Sequence, residues 1–171
     1  MHYAVLFLFL ATVFSIQTTF LDLFPLGGTL PDLGLIVAVY CGIHGRGDAG
    51  IGMGCFIGFV QDCLSGRLLG VNTLSKGLTG FFFATLKNKI VVEGFIPLCF
   101  FLALASLFDG VIFYLAWNLL LKGESSGGYL FPYFLVNAVY NALLGQPLFF
   151  LMNRGRKWLD GRFPNQILGF P

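Results

Sequence analysis

Charged side chains are scarce in this sequence. Asp, Glu, Lys and Arg make up 11% of 171 residues, where a soluble domain carries about 25%. So little charge excludes a body that faces water on all sides. Histidine is nearly missing, with only His2 at the terminus and His44 beside a basic turn. No His-Asp-Ser set and no histidine-based metal cluster can be assembled from these two, so no catalytic, cofactor or metal residue is assigned. The four cysteines, Cys41, Cys55, Cys63 and Cys99, stand in or at the end of apolar runs without paired ligand spacing. They read as small hydrophobes, and a disulfide framework is excluded. A net charge of +2, dispersed along the chain, excludes nucleic acid as a partner. Glycine-rich Gly47–Gly54 (GDAGIGMG) lacks the Lys-Ser/Thr that completes a phosphate loop. The start, Met1-His2, carries no Lys or Arg, and no small-x-small cleavage site follows, so the first apolar run is read as a retained helix.

What is present is apolar length. Hydrophobic residues reach 57%, with 21 Phe and 23 Gly, and the mean hydropathy is +0.83. An all-α, multi-pass membrane protein follows, with room for about six helices of roughly 20 residues each. The apolar runs predict spans over Tyr3–Leu21, Leu33–His44, Gly50–Leu64, Thr73–Leu86, Val91–Leu121 and Pro132–Met152. The second is too short to cross alone unless it begins before Pro31, which suits a first helical turn beside Asp32 at the positive helix end. A bend is expected near Pro97. Residues 1–152 form one transmembrane domain, and 153–171 a basic cytoplasmic tail with Arg154, Arg156, Lys157 and Arg162, anchored by Trp158. With both termini cytoplasmic, seven Lys and Arg lie inside and two outside, in the sense of the positive-inside rule.

The stretch Gly50–Asn72 organises the rest. Gly50, Gly54 and Gly58 recur every fourth residue and bare one flank of a helix, so that another backbone can approach closely. That helix ends in Gln61-Asp62, followed by Ser65, Gly66, Gly70 and Asn72. Ser65 and the freed amides of the turn are the expected donors to Asp62. Asp62, Lys76 and Asp109 all fall within or at the edge of spans, where an unpaired charge costs about 2.5–3.5 kcal/mol. Two readings apply: a proton or ion relay, or internal pairing in which Lys76 satisfies Asp62 or Asp109 and fixes helix packing. Few carboxylates mark a path, which favours pairing. Asn137 and Asn141, one turn apart beside Ala138, Ala142 and Gly145, read as glue between helices, with substrate contact as the other reading.

These residues carry a resemblance. Pro31-Asp32-Leu33, Gly54-x-x-x-Gly58, Gln61-Asp62-x-x-Ser65-Gly66, Leu69-Gly70-x-Asn72 and Gly80 resemble the MreD family, the small membrane component of the bacterial rod-shape system. The resemblance implies a non-enzymatic scaffold in the cytoplasmic (inner) membrane that supports lateral peptidoglycan synthesis. It further implies binding to the single-span protein MreC. Through MreC or directly, the chain would also reach RodA and its transpeptidase partner, and the MreB filament system would be linked through MreC. The family's fold is similar to the S component of energy-coupling-factor transporters. That likeness supplies the alternative function, a substrate-binding subunit for vitamin-type uptake with a cavity opening outward near Asp62–Asn72. S components carry Ala-x-x-x-Ala in the first helix, whereas Ala4 and Ala11 here stand seven apart.

Overall fold

A computed structural model describes residues 2–19, 30–45, 49–65, 69–87, 94–121 and 130–162. Six α-helices account for nearly all of them: α1 (His2–Thr19), α2 (Leu33–His44), α3 (Ala49–Ser65), α4 (Val71–Leu86), α5 (Phe95–Leu121) and α6 (Leu130–Arg162). Two are long and apolar enough to cross a membrane by themselves, over Phe95–Ala116 and Phe134–Trp158, and shorter apolar stretches lie in α1, α2 and α3.

The shortest helix is the central one. Ten of the twelve residues of α2 are buried, because α1, α3, α4, α5 and α6 all pack around it. At about 1.5 Å per residue it is roughly 18 Å long, well short of a hydrocarbon layer of about 30 Å. It does not begin before Pro31. Asp32 is its N-cap, taking the Leu35 amide at 3.0 Å, so Pro31 lies before the cap and outside the first turn. A helix that starts inside a bundle leaves its first amides without water, and a capping carboxylate meets part of that need.

Helices α3 and α4 meet along the glycine flank. A Cβ on Gly54 would run into the Lys76 carbonyl, and one on Gly58 into the Asn72 carbonyl. Farther along, Gly50 lies against Gly42 of α2 and Gly80 of α4. The three helices therefore touch backbone to backbone. The turn between α3 and α4 closes through Gly70, whose φ of 101° only glycine adopts without strain.

The opposite ends of these helices are tied separately. Lys87 Nζ donates to the Gly45 carbonyl, and Tyr40 donates to Asn153 Oδ1 at 3.0 Å while stacking on His44. Pro97 falls in the first turn of α5, where its missing N–H is harmless. The proline inside a helix is instead Pro147 of α6. Helix α6 passes Met152 unbroken to Arg162, so residues 153–162 extend the last helix. Helix α1 is the outlier. Among the described residues it packs on α2 and leaves an apolar cleft of about 330 Å³ toward α3, lined by Leu10, Phe14, Phe56, Val60 and Leu64 among others.

Candidate functional site

Two polar centres lie where α3 and α4 join and where α2 begins. The first is Asp62, 1% exposed. Its Oδ2 accepts from the amides of Gly70 at 2.9 Å and Thr73 at 3.0 Å and from the Thr73 hydroxyl at 2.7 Å. Its Oδ1 accepts from the amide of Asn72 at 3.1 Å and the Asn72 side chain at 3.0 Å. A carboxylate from the end of α3 thus covers the amide end of α4, where the helix dipole favours negative charge. Ser65 takes no part in that shell; its hydroxyl donates to the Asp62 main-chain carbonyl at 3.4 Å. Gly66 lies outside the described residues.

The second centre is built on Lys76, whose side chain is fully buried. Its Nζ stands 2.8 Å from Asp32 Oδ2 and 3.7 Å from Asp109 Oδ1, and it donates to Asn72 Oδ1 at 3.1 Å. Lys76 therefore pairs with Asp32 and Asp109, and Asn72 stands between it and Asp62. Asp32 also accepts from Gln61 Nε2 at 2.7 Å, and the Asp32 amide donates to Asn141 Oδ1 at 2.8 Å. The Ser75 hydroxyl donates to Asp109 Oδ1.

On α6, Asn141 is fully buried. Its amide nitrogen donates to Ser106 at 3.0 Å and to Asn137 at 3.1 Å. Asn141 thus serves α2 and α5 as well as Asn137. Asn72 joins the two centres, and the connected network draws on α2, α3, α4, α5 and α6. Within it, Gln61 Oε1 is a buried acceptor without a partner.

Sequence reading placed Asp62, Lys76, Asp109, Asn137 and Asn141 in the interior but did not assign Gln61, Thr73, Ser75 or Ser106 a part. Gln61 and Thr73 adjoin Asp62 and Asn72, and Ser75 adjoins Lys76, so each had a signal in its neighbour. Ser106 had none. The arrangement joins helices through hydrogen bonds and ion pairs. Among the described residues no group of three or more His, Cys, Asp or Glu is placed to hold a metal ion.

No curated protein and no solved structure matches the chain. A family model does match, over residues 1–155, and its description is rod shape-determining protein MreD. That span takes in α1 to α5 and most of α6 together with both polar centres, and the chain belongs to the MreD family, membrane proteins of rod-shape determination.

Proposed function

We propose that this protein is a non-enzymatic scaffold subunit of the bacterial cell-elongation complex. It sits in the cytoplasmic membrane with both termini inside and binds an MreC-like single-span protein. RodA and its transpeptidase partner are reached directly or through that protein, in support of lateral peptidoglycan synthesis. The observation that carries this reading is the polar network. Its ionisable groups, on α2 to α5, are engaged with one another and with helix ends, and α6 joins through Asn141, which suits a body that holds shape. The bundle also has a basic end, where Lys87 meets Gly45 and α6 carries Arg154, Arg156 and Lys157. A cytoplasmic face is expected to look like this.

The test is cysteine crosslinking in native membranes, from exposed positions of α1 and α6 such as Leu8, Ile16, Leu143 and Phe150, against the membrane helix of the partner. Crosslinks are expected in a pattern of period about 3.6 on one of the two helices. If no crosslink forms and the partner does not co-purify, while a vitamin-sized molecule is released on denaturation, the uptake reading takes over. Against that alternative, the cleft between α1 and α3 is apolar, and Leu64 is the residue of the Asp62–Asn72 stretch that lines it.

A further inference from the structure

Among the described residues, three interior carboxylates, Asp32, Asp62 and Asp109, lie near one buried ammonium, that of Lys76. Asp62 is provided for, with five donors converging on its two oxygens. Asp32 takes the Leu35 amide at the positive end of α2, the Gln61 amide nitrogen and Lys76 at 2.8 Å. Asp109 differs from both. Ser75 is its hydrogen-bond donor, and Lys76 Nζ stands off at 3.7 Å, beyond hydrogen-bond reach.

The charged groups facing Asp109 are Lys76 on α4 and Asp32 on α2. Among the described residues, the α6 side chains bonded into this network are the neutral Asn137 and Asn141, and Asp62 on α3 is occupied by the start of α4. Two carboxylates around a single ammonium leave one negative charge in excess. An uncompensated charge in hydrocarbon is expensive, and two acids crowded on one site do not both ionise. Donors to a carboxylate favour its charged form, and Asp109 has the fewest.

We infer that the Asp32–Lys76–Asp109 cluster is a proton-binding site, in which Asp32 is the counter-ion of Lys76 and Asp109 carries the proton. The cluster is then electrically neutral. Both carboxylates keep 17–19% side-chain exposure in the bundle while Lys76 has none. Proton binding at this cluster is independent of which partner the protein binds.

The test is infrared spectroscopy of the full chain in lipid nanodiscs at neutral pH, with deuterium exchange to mark the acid. One carboxylic-acid carbonyl band is expected, and Asp109→Asn abolishes it. Asp32→Asn abolishes it too, because Asp109 is then the sole counter-ion of Lys76 and ionises. Lys76→Met roughly doubles it, because both acids must then be neutral. Absence of the band from the unsubstituted chain, which needs no variant to fold, overturns the assignment. So does a band that survives Asp109→Asn or is removed by Asp62→Asn.

Discussion

Helix α3 has two flanks of opposite character. Toward α4 it presents Gly50, Gly54 and Gly58, and the neighbouring backbone comes in so close that a methyl group has no room. Toward α1 it presents Phe56, Val60 and Leu64, and the two helices stand apart over an apolar cleft. Bulk on a helix therefore does not predict tight packing here. In lipid no hydrophobic force drives apolar side chains together, so close association needs surfaces that let backbones approach and polar groups bond. The glycine flank has both, since the carbonyls facing Gly54 and Gly58 belong to Lys76 and Asn72, two members of the polar network. The glycine seam thus positions the charged centre, while across the bulky apolar flank α1 stands off from α3 and, among the described residues, packs on α2.

The largest effect is expected at the centre that the seam positions. Lys76→Met removes the cation while leaving Asp32 beneath five packed helices, where it must hold a charge alone or take up a proton. Removing one partner of a buried pair costs about 3–5 kcal/mol. Reversible unfolding of the purified chain in mixed micelles should register a loss of that size. A loss below about 1 kcal/mol would mean that the ion pair is incidental to the fold.

Legibility in the sequence divided along the same line. The glycine flank was readable because its period is that of a helix. The donors to Asp62 were readable in part because the turn that supplies them follows within a dozen residues. The six helices fall on the six apolar runs for the same local reason. The pairing of Lys76 with Asp109 was readable as opposite charges within spans, whereas its closer pairing with Asp32 was not. Asp32 looks like a simple helix cap from its neighbours Pro31 and Leu33, and nothing near it announces Lys76. Its bond to Asn141 joins positions 109 apart, and registers between distant helices are set by packing that no local pattern encodes. Helix α6 outlasts the span read from the sequence for a different reason. Charge beginning at Arg154 marks where hydrocarbon stops, but a helix rich in Arg and Lys continues readily into water, and so α6 runs on to Arg162.

The finest test of the two flanks uses two glycines of one helix. Gly54 faces the α4 backbone, and Gly52, two residues earlier, has nothing within 4 Å of where a Cβ would stand. Gly54→Ala must push α4 outward and loosen Lys76, at about 1–3 kcal/mol for overpacking. Gly52→Ala meets no obstacle and removes the backbone freedom of glycine from the unfolded chain. It should stabilise by about 0.5–1 kcal/mol. Both variants can be read in one unfolding experiment, and opposite signs are the expected result. If both substitutions destabilise alike, α3 is sensitive to added bulk all round. The glycine period would then say nothing about which neighbour it was made for.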